Sequence, residues 1–139
     1  MGSFVAPGDE AAPDQTDAGD PVLAQAKQLM ENYDYEGALA YLDTIASDYE
    51  GKPDYYALCG EALGNMGRYD EAEKVFEKAV LIEPDNASYL DNYGAMMVYG
   101  GKYQDGYEII NKAVSLEPWN GEYIGDRGFA LYLLGRPGF

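Results

Sequence analysis

Beyond Asp20 the apolar residues recur at steps of three and four, the spacing that lines one face of an α-helix. The pattern is interrupted near Asn32–Asp34, Gly51–Pro53, Gly67–Arg68, Pro84–Asn86, Gly100–Lys102 and Pro118–Gly121. These breaks divide the segment into seven helices of about twelve to fifteen residues joined by short turns. Asp20-Pro21 opens the first of them: a carboxylate accepts from free backbone N–H groups, and proline fits the first turn. No stretch shows the strict alternation of a half-buried strand, so the fold is expected to be all-α. Residues 1–19 differ in kind. They are rich in Gly, Pro, Ala and acid, and beyond Met1 only Phe4 and Val5 are large apolar side chains. Such a stretch buries too little surface to offset its ordering entropy, so a flexible acidic N-terminal tail is expected, as a spacer or as an inert terminus.

The helical segment repeats itself. Gly60 matches Gly94, Gly67 matches Gly101, Tyr69 matches Tyr103, Ala79 matches Ala113, and Glu83-Pro84 matches Glu117-Pro118, each pair 34 residues apart. The same phase takes in Ala26, Tyr35 and Ala38 upstream, and Gly128 and Gly135 downstream. Paired helices with this period resemble the tetratricopeptide repeat family. The resemblance is strongest over residues 53–120 and implies a right-handed superhelix of stacked antiparallel helix pairs. It divides residues 20–139 into repeats of about 19–52, 53–86 and 87–120, and a half repeat over 121–139.

The repeated columns have physical reasons. Gly60, Gly94, Gly128 and Ala26 are small because the two helices of a hairpin lie close together, and Ala38, Ala72 and Gly106 oppose them. The columns Val22/Tyr56/Leu90/Ile124, Leu29/Leu63/Met97/Leu131 and Leu42/Phe76/Ile110 are expected to fill the core. Ala79 and Ala113 let the next hairpin dock, and Pro84 and Pro118 stop the second helices. The first repeat departs from this, with Ile45 in the small column and Glu50 in place of the stop proline. At the other end, an apolar helix over Asp126–Leu134 runs into Gly135-Arg136-Pro137-Gly138-Phe139, where its partner helix should begin. Continuation of the natural chain past Phe139 is the favoured expectation, and pairing of this end with another copy or another protein is the alternative.

Charge narrows the partners. The net charge is −16, from 25 acidic and 9 basic residues, and five of the acids lie in the first twenty positions. An anionic body of this kind repels nucleic acid and anionic lipid and attracts basic partners. No apolar run approaches membrane-spanning length, and the N-terminus has neither a signal-peptide pattern nor, with Ala6 in the deciding position, a myristoylation signal. A soluble protein is expected, with the compartment open and the cytoplasm favoured.

Catalytic chemistry has little to work with. There is no histidine, the commonest general base and metal ligand. The single cysteine, Cys59, sits beside Gly60 on a first helix and is expected to be a small buried filler. Glu71, Glu73 and Glu77 fall among Lys74 and Lys78, as on a solvated helix face. Acids from Asp14 to Asp20 lack the spacing of a calcium loop. Asn86-Ala87-Ser88 matches the glycosylation triplet but falls in a turn where Asn is common. No enzyme, no cofactor, and no catalytic or metal-binding residues are expected.

The family resemblance implies a concave groove lined by successive first helices, which in some members carries Lys, Arg and Asn as a clamp for a carboxylate. Here one frame gives Leu23, Lys27, Leu58, Ser88 and Asn92, and the next gives Ala57, Glu61, Asn92, Glu122 and Asp126. Neither makes a clamp, so acidic chaperone tails are not expected as ligands. The groove instead offers Asp54, Glu61, Asp91, Asn92, Glu122 and Asp126 interleaved with Tyr99, Phe129 and Tyr132. That mixture suits a basic or amphipathic peptide or helix of a protein partner, through ion pairs and cation–π contacts. The expected function is a protein–protein interaction scaffold. The alternatives are a homo-oligomer formed through the apolar last helix and a fragment of a larger regulatory protein.

Overall fold

The computed structural model describes residues 19–135. The expected tail lies outside them except for its last residue, as do residues 136–139 at the other end. Among the described residues there are seven α-helices: α1 (Pro21–Glu31), α2 (Tyr35–Thr44), α3 (Pro53–Asn65), α4 (Tyr69–Ile82), α5 (Ala87–Tyr99), α6 (Tyr103–Leu116) and α7 (Gly121–Leu134). A 3-10 turn at Ala46–Asp48 precedes α3, and no strand is present among these residues.

The helix starts follow local chemistry. Asp20 Oδ1 accepts from the N–H groups of Val22 and Leu23 at 2.9 and 3.3 Å. Asn120 caps α7 in the same manner, accepting from Glu122 and Tyr123. Asn86 caps α5 by accepting from Tyr89 N–H, and its amide donates to Glu83, so the side chain of the glycosylation-like triplet serves the turn.

Three equivalent turns use a left-handed residue. Gly67 and Gly101 have φ of 78° and 97°, and Tyr33, in the same repeat column, is held at 63°. A tyrosine there strains its Cβ against the backbone, which costs about 1–2 kcal/mol. Tyr33 recovers little by burial, being 80% exposed, with one edge contact to Tyr35. Tyr33→Gly is therefore expected to raise stability by about 0.5–1 kcal/mol, after the extra flexibility of glycine in the unfolded chain is subtracted. Thermal unfolding checks this, and an unchanged or lower midpoint would refute it.

Each helix packs on its neighbours in sequence, and first helices also touch, α1 on α3 and α5 on α7. The result is a solenoid of stacked hairpins. α5 and α6 approach most closely, with glycine on both sides: a Cβ on Gly94 would meet Gly106 O at 2.8 Å, and one on Gly106 would meet Gly94 O at 2.7 Å. In the preceding hairpin Gly60 lies under the Phe76 ring.

Leu42, Phe76, Leu90 and Ile110 are deeply buried. Other expected core positions are corrected. Val22, Leu29 and Tyr56 are only partly buried, and Ile124 and Leu131 are 41% and 48% exposed. The last two, with Gly128, face a side of α7 that no described helix covers, and a Cβ on Gly128 would meet nothing within 4 Å. The deeper aromatic column is Tyr55, Tyr89 and Tyr123, buried in each successive first helix. Two of its hydroxyls tie neighbouring hairpins together, Tyr55 donating to Leu42 O at 3.0 Å and Tyr89 to Asp54 Oδ1 at 2.7 Å.

α1 and α2 are shorter than expected, at 11 and 10 residues. α2 ends at Ile45, whose bulk occupies the column where Ala79 and Ala113 are fully buried. The chain then tightens into the 3-10 turn and reaches α3 without the stop proline of later repeats.

Candidate functional site

The first helices α3, α5 and α7 set the candidate groove residues into three groups. The first is a bridge. Asp54, at the start of α3, is half-buried and accepts the Tyr89 hydroxyl, so it serves the α3–α5 seam rather than standing free.

The second group is aromatic and polar. Glu61, Asn92 and Tyr99 line one cleft of about 260 Å³ together with Tyr69 and Met96. Tyr69, Tyr99 and Phe129 form a row, with ring centroids 5.4 and 6.1 Å apart. Tyr69, the repeat-column counterpart of Tyr103, extends this aromatic surface. The signal was available in the sequence, because Tyr69, Tyr99 and Phe129 follow one another at 30-residue intervals. Glu61 also borders a cleft containing Lys27, on its other side. Its surroundings push the Glu61 carboxyl above the usual glutamate range by desolvation, and the charge of Lys27 pulls it partly back. Tyr132, further along α7, is 62% exposed.

The third group is an acidic cluster. Asp91 on α5 and Glu122 and Asp126 on α7 each place a carboxylate oxygen within 4.8 Å of the other two. Glu122 is exposed and Asp126 half-buried, whereas Asp91 is 2% exposed. Asp91 thus departs from its expected role as an open groove acid. Its repeat column otherwise holds Leu23, which is buried, Ala57, which is partly buried, and Gly125, which is exposed, so the column does not fix the burial of Asp91. Burial pushes the Asp91 carboxyl up to about 9, aided by a hydrogen bond with Asp126 and by the charges of Asp126 and Glu122.

Elsewhere, Cys59 is buried, and desolvation raises its thiol pKa, the reverse of what a nucleophile needs. Glu71 pairs with Arg68 at 2.7 Å and Glu73 reaches Lys102 in the next hairpin at 3.1 Å, rather than the lysines of its own helix. A cleft of about 630 Å³ lies between α2 and α4, floored by α3. Ala46, Ser47 and Glu50 line one edge of it, so it opens where α2 stops short. It contains none of the groove residues named from the sequence. No helix among the described residues is long and apolar enough to cross a membrane.

Comparisons with known proteins agree with this geometry. No curated protein sequence matches the chain. Solved structures do resemble it. The second TPR domain of human RPAP3, in complex with the HSP70 peptide SGPTIEEVD, superposes with a TM-score of 0.73 at 20% identity, covering 79% of this chain and 92% of that one. The first TPR of Spaghetti (RPAP3), bound to the HSP90 peptide SRMEEVD, gives 0.77 at 15% identity over 83% and 91% of the two chains. The Sgt2 TPR domain from Aspergillus fumigatus gives 0.77 at 16% identity over 86% and 80%. At these identities the likeness is one of fold. The family model for the tetratricopeptide repeat matches residues 29–92, from the last turn of α1 to the middle of α5. Residues 29–92 thus match the tetratricopeptide repeat, and the same hairpin geometry continues through α6 and α7.

Proposed function

We propose that this chain is a protein-interaction scaffold whose groove takes a basic or amphipathic segment of a partner. The observation that carries the reading is the cleft formed by Glu61, Asn92 and Tyr99, continued by the Tyr69–Tyr99–Phe129 row. Aromatic faces beside carboxylates attract Lys or Arg side chains by cation–π contact and ion pairing. Asp54, Asp91, Glu122, Asp126 and Tyr132 complete the proposed binding face, with Asp54 and Asp91 shaping it from within the helix seams. Two of the structural neighbours hold peptides ending in EEVD. The acids at the corresponding clamp positions here, Glu61, Glu122 and Asp126, would repel such a tail, so the preferred ligand has the opposite charge.

Fluorescence anisotropy with a labelled amphipathic lysine/arginine peptide and an EEVD-ending peptide, in chelator, tests this. The basic peptide is expected to bind and to weaken as salt rises. Glu61→Lys with Tyr99→Ala should weaken it at least about tenfold, equal to about 1.4 kcal/mol. Unchanged affinity, or preference for the acidic peptide, would sink the reading. A second reading is favoured by the exposed face of α7, where Ile124, Leu131 and the open flank of Gly128 offer apolar surface to another copy. Light scattering across a concentration series separates it, since a concentration-independent monomer removes self-association.

A further inference from the structure

We propose that Asp91, Glu122 and Asp126 form a binding site for a divalent cation, with a preference for Ca2+, that fastens α7 to α5. Three observations support it. The donors are all carboxylate oxygens, the set chosen by hard cations. All three oxygens lie within 4.8 Å of one another, close enough for one ion to touch each of them. Mg2+ demands near-ideal octahedral geometry and gives up its waters reluctantly, so three carboxylates fixed on two helices favour the more tolerant Ca2+.

The third observation sets this cluster apart from ordinary surface acids. Asp91 is almost wholly buried, and although its carboxyl shares a hydrogen bond with Asp126, its Oδ1 is left without a partner. A buried carboxylate oxygen without a donor is costly, and a structure that keeps one calls for an explanation such as a bound ion. The side chain is directed at the other two acids, with an oxygen within 4.8 Å of each. Asp126 is half-buried beside it, while the exposed Glu122 leaves an entry path and room for water to complete the coordination shell. The ion would neutralise repulsion across the α5–α7 seam and bind the folded chain only, because the unfolded chain does not bring the three residues together.

The site shares Asp91, Glu122 and Asp126 with the proposed peptide-binding face, and the test below needs no peptide, so the two readings fail separately. The chain, stripped of metal with a chelator and dialysed, is titrated with CaCl2 and with MgCl2 by calorimetry, and its thermal unfolding is followed in parallel. One Ca2+ is expected to bind per chain and raise the melting temperature by a few degrees, with Mg2+ at least tenfold weaker. Asp91→Asn and, separately, Asp126→Asn should each weaken Ca2+ at least tenfold, while Glu108→Gln, an exposed acid on α6, should leave it unchanged. Far-ultraviolet circular dichroism confirms that each variant is folded. No saturable uptake overturns the proposal and leaves the triad to a lysine or arginine of a partner. Equal uptake by Asp91→Asn and the parent also overturns it, since that is the diffuse attraction expected of any chain with net charge −16.

Discussion

Gly94→Ala is expected to lower the stability of the array by about 2–3 kcal/mol, the upper part of the range for overpacked interiors. The added Cβ would sit 2.7 Å from Ile110 Cγ1, 2.8 Å from Gly106 O and 3.1 Å from Ile110 N. Two of these atoms are backbone, so a rotamer change cannot relieve the contact. Relief requires α5 and α6 to separate, and these are the most extensively packed pair among the described helices. Gly128→Ala is the matched control. It occupies the same repeat column but meets nothing within 4 Å, so only helix propensity acts, and stability should rise by up to about 1 kcal/mol. Urea unfolding of both variants decides the matter. A loss under about 1 kcal/mol for Gly94→Ala would show that the α5–α6 approach is not rigid.

Asp91→Asn is expected to stabilise the metal-free protein at alkaline pH by roughly 2–3 kcal/mol, the scale set by burying a charge without a cationic partner. The sign follows from proton counts. The folded carboxyl titrates at about 9, and its ordinary value is 3.8. Between those limits the folded state holds a proton that the unfolded state has released, so stability falls as pH rises. Each pH unit removes at most about 1.4 kcal/mol through this group. An amide has no proton to lose, and it can donate to Asp126 or Glu122. Parent and variant should therefore be nearly equal near pH 4 and diverge steadily toward pH 9. Urea unfolding in chelator across that range measures the gap, and parallel pH profiles for the two proteins would refute the account.

Much of the fold was legible because a repeat writes the same packing problem several times. The close approaches at Gly60 and Gly94, the left-handed turns at Gly67 and Gly101, and the cap at Asp20 each rest on interactions within one hairpin. The errors arose where a residue's fate depends on a neighbouring hairpin. Tyr56 was read as core, but the residue before it, Tyr55, is the one whose hydroxyl reaches back to Leu42. Both positions are aromatic and one residue apart, and helical periodicity does not choose between them. The shortening of α2 likewise depends on Ile45 meeting the space that alanine leaves open in the later repeats.

The candidate site was legible as an inventory. The acids and aromatics of α3, α5 and α7 were named from the sequence, and the structure separates them into a bridge at Asp54, a cleft beside an aromatic row, and the cluster of Asp91, Glu122 and Asp126. What the sequence by itself determined is the all-α character, the hairpin period, and the lack of the cationic clamp residues on the first helices, all set by local spacing and residue type. What only the tertiary structure decided is the environment of each acid. Asp91 lies 31 and 35 residues before Glu122 and Asp126, so only the docking of α7 onto α5 brings the three together. That docking also removes Asp91 from water, and a carboxylate's chemistry depends on solvation and on neighbouring charge far more than on its position in the chain.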